Sequence, residues 1–281
     1  MRNVGNAWPI VVGGCHRSGT SVVRRMLNAH SRIYCGPEVK FFRDWYGDYL
    51  AEDAVRHARF FTSARGMLPE GELLEILGRA FVDIHLRAAA NAGKQRWADK
   101  NPENVLYLKE WERMLGDAWV FLHVVRNPLD TLASIAEADF RFAVPAGLEA
   151  RIEHYRRYAE AGLAFQAAHP DRYYRIVYEK LVRSPADEVH RLMEWLGEKT
   201  EAAQLDFNSK EHQPGLEDPK ISRTQGVHPA SIGRWKAFFQ KDEAGKIVSA
   251  TVAVWEQMDI ENVYPLPRGL DQAQTGPPRV E

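Results

Sequence analysis

Eight consecutive residues near the N-terminus, Gly14-Cys15-His16-Arg17-Ser18-Gly19-Thr20-Ser21, have the types and spacing to hold an anion. Glycines stand at the first and sixth positions and a hydroxyl residue at the eighth, the spacing of a Walker A loop. Such a loop turns backbone N–H groups inward, and the helix after it adds its N-terminal partial positive charge. At the seventh position a nucleoside triphosphatase carries the lysine that reaches the β- and γ-phosphates; here it is Thr20. Positive charge comes from Arg17 inside the loop. Arg17, Ser18, Gly19, Thr20 and Ser21 are therefore the candidate phosphate ligands. The absent lysine points away from ATP with Mg²⁺ and towards a nucleotide donor handled without a metal. A purely structural strand-to-helix turn would need the glycines, but not the arginine and hydroxyls between and after them.

A second anion site is expected downstream. Arg126-Asn127-Pro128-Leu129-Asp130 follows the strongest apolar run of the chain, Trp119 to Val125. Ser134 falls one to two turns into the helix that Pro128 opens. In a parallel sheet Arg126 emerges at the carboxyl edge, where open α/β sheets bind ligands. A guanidinium with paired bonds and a hydroxyl with one suit a phosphate. The plainer alternative is an ion pair between Arg126 and Asp130. With the first loop, this site fits a nucleotide phosphorylated at both its 5′ and 3′ positions.

These groups need elements to position them. The apolar run 9–14 ends in paired glycines and reads as a buried strand; Thr20 to Ala29 has helical period, with Val22, Val23, Met26 and Leu27 on one face. Arg32 to Cys35 reads as a short strand closed by Gly36-Pro37. A long amphipathic helix is expected between Pro69 and Asn91, and further helices over Leu148–Ala168 and Pro185–Leu196, the last with Ser184 as N-cap. Tyr173 to Tyr178 reads as a strand. Residues 205–230 are polar and without period, which predicts a long loop. Two helices, Ser231–Gln240 and Asp242–Met258, are expected to follow, and a Pro- and Gly-rich tail from Pro265 is expected to be disordered. Strands alternating with helices give the fold class: α/β, a P-loop three-layer sandwich with a mostly parallel central sheet and helical insertions. One domain over 1–264 is expected, with 265–281 as the tail.

Composition narrows the classes. Of 281 residues 45% are apolar, with 8 Trp and 12 Phe, ample for a core. The net charge of −1 gives no global attraction to nucleic acid or anionic lipid, so none is expected as a partner. No apolar run reaches the roughly 18 residues of a membrane span. The N-terminal apolar stretch is too short for a secretory leader, which predicts a cytoplasmic protein. The two cysteines, Cys15 and Cys35, lack zinc-site spacing and are expected as free thiols; no metal is expected.

Together these segments resemble the sulfotransferase superfamily that uses 3′-phosphoadenosine 5′-phosphosulfate (PAPS). PIVVGGCHRSGTSVVRRML and VVRNPLDTLAS are similar to its first two motifs, and Tyr178-Glu179-Lys180-Leu181-Val182 with Ser184-Pro185 is similar to its third. Within it, GGCHRSGTSVVRRMLNAHSRIYCGPEVKFF most resembles tyrosylprotein sulfotransferases and related bacterial enzymes. The resemblance implies Glu38 as catalytic base and places Lys100, in Asp99-Lys100-Asn101-Pro102, on the sulfate or the bridging oxygen. It also implies Tyr178 and Arg234 as nucleotide contacts beside Arg126 and Ser134. The activity implied is sulfuryl transfer to an acceptor hydroxyl, with adenosine 3′,5′-bisphosphate as product. Pro37 replaces an acidic residue of that group and His16 a loop proline, so the acceptor stays open among tyrosine peptide, phenol, carbohydrate and lipid; a homodimer is also left open.

Residue by residue, plainer readings stand beside these. Glu38 reads equally as a surface carboxylate paired with Lys40, Lys100 as a solvated turn residue, and His16 as an alternative base. His30 and His123 read as core or surface histidines. Trp45, Tyr46, Tyr49, Phe60 and Phe61 suit either an acceptor pocket or a helix-face core, and Ser222 and Thr224 are weak candidates for sulfate contact. Two rival functions are a P-loop kinase or NTPase, which lacks its lysine here, and an inactive nucleotide-binding interaction protein.

Overall fold

Ile10, Val11 and Val12 are β-branched and fully buried on both sides, which places β1 (Ile10–Gly13) at the centre of a sheet covered on both faces. The computed structural model describes residues 7–47, 59–138, 143–207, 229–258, 260 and 267. The chain then runs through α1 (Thr20–Ala29), β2 (Ile33–Cys35), α2 (Phe41–Tyr46), α3 (Arg59–Arg65), α4 (Glu70–Asn91) and β3 (Arg96–Lys100). After a 3-10 turn at Pro102–Leu106 come α5 (Leu108–Leu115), β4 (Val120–Val125), α6 (Pro128–Ala138), α7 (Leu148–Ala168) and β5 (Tyr173–Val177). Last are α8 (Tyr178–Arg183), α9 (Pro185–Leu196) and α10 (Lys241–Gln257). The five strands are all parallel in the order β2-β3-β1-β4-β5.

Strand alternation divides the core into two layers. Val120, Leu122 and Val124 face the side of α1 and α9, packing with Val23, Leu27, Leu192 and Met193. Phe121 and Val125 face the other side, with Phe165 of α7 and Ile247 and Trp255 of α10. His123, on that second face, fits because α7 has Gly162 above it: a Cβ there would lie 2.1 Å from the imidazole. Burial pushes His123 down to about 3, so it is a neutral core residue bonded to Tyr173 Oη at 2.9 Å. His30 is likewise buried, 2.9 Å from the Lys199 carbonyl oxygen.

Two expectations fail. Ser231–Gln240 is not an α-helix but two 3-10 turns, Pro229–Ser231 and Arg234–Ala237. Gly233 between them has φ 79°, and the N–H groups of Gly233 and Trp235 go to Asp130 instead of a helical ladder. Ser184 precedes α9 as expected, but its side chain makes no capping bond. On the insertion, Trp45 is core, packed at tilted angles against Phe41 and Phe61, and Tyr46 stacks on Tyr107, whereas Phe60 is exposed. Tyr49, Ser222, Thr224 and residues 208–228 of the expected loop lie outside the described residues, as does the tail apart from Pro267. Among the described residues no helix is long and apolar enough to cross a membrane.

Candidate active site

The anion cradle forms at the carboxyl ends of β1 and β4. Gly14 has φ 151°, and a Cβ there would lie 2.2 Å from the Val124 carbonyl oxygen, so only glycine lets the loop leave the sheet here. Gly19 takes φ 102° at the N-cap of α1 and rests against Tyr178, whose ring would lie 2.4 Å from an added Cβ. No side chain caps α1, and no acidic residue stands in its first turn, so its positive end faces the loop uncompensated.

Arg17 is the one non-glycine residue among those described with a positive φ, 69°. A left-handed L-residue costs about 1–2 kcal/mol. The conformation is gripped from both ends: Arg17 Nε donates to Ser134 Oγ at 3.0 Å, and Arg126 Nη1 donates to the Arg17 carbonyl at 2.9 Å. Strain over-determined in this way collects at binding loops. Arg17, Ser134 and Arg126, predicted from separate segments, therefore come together in one cluster.

Arg126 lies over the Tyr178 ring, 4.6 Å from its centroid, and donates from Nη2 to the Ser231 carbonyl at 2.7 Å. Its Nε is buried with no hydrogen-bond partner, and so is Ser18 Oγ. Unpaired buried donors at a positively charged loop fit an anionic ligand. No Arg126–Asp130 pair forms. Asp130 instead accepts from Gly233 N at 2.7 Å and Trp235 N at 3.0 Å, fastening the 229–237 turns to α6. Arg234 is carried to the same helix, but its guanidinium bonds Glu137 Oε1 at 2.7 Å and does not join the Arg17–Ser134 pair.

The predicted catalytic pair, Lys100 and Glu38, meets at the end of β3. Its registry with β1 sets Lys100 opposite Val12, just before the loop. Lys100 is no solvated turn residue: its side chain is 0% exposed and donates to Ser21 Oγ at 3.1 Å and to Glu38 Oε1. Glu38 is no surface carboxylate either, with a side chain only 10% exposed. The pairing with Lys40 is present, at 2.6 Å on Oε2, alongside the bond from Lys100. Burial raises the Glu38 pKa, but Lys100 and Lys40 outweigh it and hold the carboxyl below its ordinary range. Glu38 is thus ionised at neutral pH and able to take a proton.

Several residues here were invisible to sequence reasoning. Asn101 Nδ2 donates to the Val39 carbonyl and to Asp99 Oδ2, both at 2.9 Å, tying the Glu38 loop to the end of β3. Asn104 Nδ2 adds a 2.8 Å bond to the same Asp99 oxygen. Glu103 is a buried carboxylate held by Lys40 at 3.2 Å and Arg43 at 2.8 Å and faced by His16 at 3.4 Å. Burial raises its pKa, but Lys40, His16 and Arg43 together drive it well below the ordinary range. His16, the alternative base, has Nδ1 3.2 Å from His154 Nε2 and its Nε2 facing Glu103. A cleft of about 410 Å³ opens beside Glu103, lined by Arg43, Tyr107, His154, Arg157 and Tyr158. Cys15 and Cys35 are free and buried, the Cys35 thiol being pushed up to about 12 mainly by burial.

The same architecture recurs in known proteins. A sulfotransferase domain from the olefin synthase of Synechococcus PCC 7002 matches with a TM-score of 0.65 and 20% identity, over 93% of this chain and 96% of that one. Mouse sulfotransferase SULT7A1, solved with PAP bound, matches with a TM-score of 0.50 and 12% identity, over 92% and 87%. In sequence, a Caenorhabditis briggsae protein provisionally named a protein-tyrosine sulfotransferase is 21% identical over 254 residues, 85% of this chain and 84% of its own. The profile of the sulfotransferase family matches residues 9–202, from β1 through the phosphate loop, Glu38, Lys100 and Ser134 to the end of α9 and just beyond, and the chain belongs to that family.

Proposed function

We propose that the protein transfers the sulfuryl group of PAPS to an acceptor hydroxyl by in-line displacement. One observation carries this reading: Lys100 touches both Ser21 of the phosphate loop and Glu38, so the cation that reaches a loop-bound group also touches the candidate base. Glu38 takes the proton as the acceptor oxygen bonds to sulfur. The bond from sulfur to the bridging oxygen breaks, and its electron pair leaves with adenosine 3′,5′-bisphosphate. Arg17, Lys100 and the N–H groups of Gly19 to Ser21 stabilise charge on the equatorial and leaving oxygens. Arg126 and Ser134 hold the 3′-phosphate, with Tyr178 as the platform under Arg126 and Gly19. Arg234 joins them by exchanging Glu137 for the nucleotide. The PAP held by the mouse relative supports this choice of donor. The acceptor enters beside Lys40 and Glu103 from the adjoining cleft, and the reaction runs in the cytoplasm.

A P-loop kinase reading has less support, because Thr20 stands where its lysine would be and both Asp130 oxygens are taken by backbone N–H groups. Calorimetric titration with adenosine 3′,5′-bisphosphate, run beside ATP with Mg²⁺, tests the donor. Binding of the bisphosphate is expected; binding of ATP alone refutes the reading. For the base, Glu38→Gln is expected to keep bisphosphate affinity and lose about 10²–10⁴ in turnover of labelled PAPS.

A further inference from the structure

Both carboxylate oxygens of Glu38 are taken, Oε1 by Lys100 and Oε2 by Lys40. To accept a proton the carboxylate must give up one of these cations, and the two lysines are held very differently. Lys100 has one other partner among the described residues, Ser21 Oγ, in the loop where a bound anion competes for its charge. Lys40 is anchored from behind by Glu103, whose oxygens lie 3.3 and 3.2 Å from Nζ. Glu103 is itself fixed, its side chain 5% exposed and bonded to Arg43.

We propose that Glu103 is a positioning residue for the base: it pins Lys40 to Oε2 of Glu38 and shares its charge, leaving Oε1 as the oxygen that accepts the proton when Lys100 turns to the donor. This rests on Glu38 being the base. The charge balance gives Glu103 its purpose. As the acceptor O–H breaks and the proton reaches Oε1, Glu38 becomes neutral and ceases to compensate Lys40. A buried ammonium left without a partner is costly. Glu103 keeps Lys40 paired through that step, so protonation of Glu38 does not strand a charge. Without Glu103, Lys40 would depend on Glu38 alone and hold it more firmly in the ionised form.

The charged groups around Glu38 are Lys40 on its own loop, Lys100 from β3 and Glu103 from the turn after β3; Arg43 of α2, His16 of the phosphate loop and His154 of α7 connect to it through Glu103. Burial and the Glu103 charge push the Glu38 carboxyl up, and the two lysines pull it down.

The test is a carboxyl-carbon NMR titration of the full chain labelled at glutamate, with the Glu38 signal assigned by its loss in Glu38→Gln. Glu103→Gln is expected to move the Glu38 midpoint down by about one pH unit, and Lys40→Met to move it up by about one. A Glu38 midpoint that stays in place in Lys40→Met, or rises in Glu103→Gln, overturns the proposal. If Glu103→Gln does not fold, Lys40→Met decides alone. The reading beneath it fails separately, through full PAPS turnover by Glu38→Gln, whatever the titration gives.

Discussion

On the proposed reading, replacing Arg126 separates a second phosphate site from the first. Its Nε is buried and unpartnered, so a bond from it to a 3′-phosphate displaces nothing. A hydrogen bond involving charge contributes about 1.5–3 kcal/mol. A second bond, from Nη2, first gives up the Ser231 carbonyl, a bond of the same charged kind, and so adds little. The net is about 1.5–3 kcal/mol, about ten- to a hundredfold in affinity. Methionine fills similar volume over the Tyr178 ring, so Arg126→Met removes the charge with little cavity. Calorimetry of both proteins against adenosine 3′,5′-bisphosphate and against 5′-AMP reads the difference. Wild-type protein is expected to prefer the bisphosphate, and the variant to lose about ten- to a hundredfold of that preference while 5′-AMP affinity changes little. Equal weakening of both ligands refutes the assignment. It would mean that Arg126 acts only by holding the Arg17 carbonyl, and that no group in this cluster reads the 3′ position.

Gly19→Ala is expected to destabilise the fold by about 2–4 kcal/mol, combining left-handed strain with the clash on Tyr178, as measured by urea unfolding. Tyr178→Leu in the same chain should recover part of that loss. Glu103 has a folded pKa below its unfolded value, so its stabilisation is complete above about pH 4.3 and is lost as pH falls through the folded value. Unfolding free energy measured from pH 7 down to pH 3 should therefore fall, and less steeply in Glu103→Gln. Cys15 and Cys35 should resist a thiol reagent at pH 8 until denaturant is added, because burial disfavours both thiolates; prompt labelling of either contradicts the packing around β1 and β2.

The parts of the fold legible in the sequence were those whose residues carry their own local signal. β1 and β4 are apolar runs, broken only by the buried His123, because parallel strands covered on both faces favour such residues. α1 and α7 were legible to their end residues. β3 was not, because Arg96, Asp99 and Lys100 are three charges among its five residues, all buried. Arg96 is compensated by the distant Trp8 and Leu196 carbonyls and Lys100 by the distant Glu38, while Asp99 is held by the nearby Asn101 and Asn104. No short window along the chain contains the partners of Arg96 and Lys100. The same blindness hid Glu103, which in sequence looks like the acidic first turn of a helix after Pro102. The phosphate loop announced itself by spacing, whereas Glu38 and Lys100 came from family resemblance and acquired a physical basis only in their buried pairing.

That pairing bears on the missing lysine of the loop. A cation at the seventh loop position would belong to the nucleotide site alone. Here the cation comes from the neighbouring strand, where the Val12–Lys100 registry fixes its height against the loop and its side chain spans from Ser21 to Glu38. On the proposed mechanism its charge is divided between the donor group in the loop and the carboxylate that deprotonates the acceptor. Any increase of negative charge on the donor side draws Lys100 towards the loop and leaves Glu38 more basic, while an empty loop keeps Glu38 paired and weakly basic. On that proposed mechanism a lysine on the strand couples the base to donor binding, and the coupling predicts an order: acceptor hydroxyls are activated only after the donor is in place.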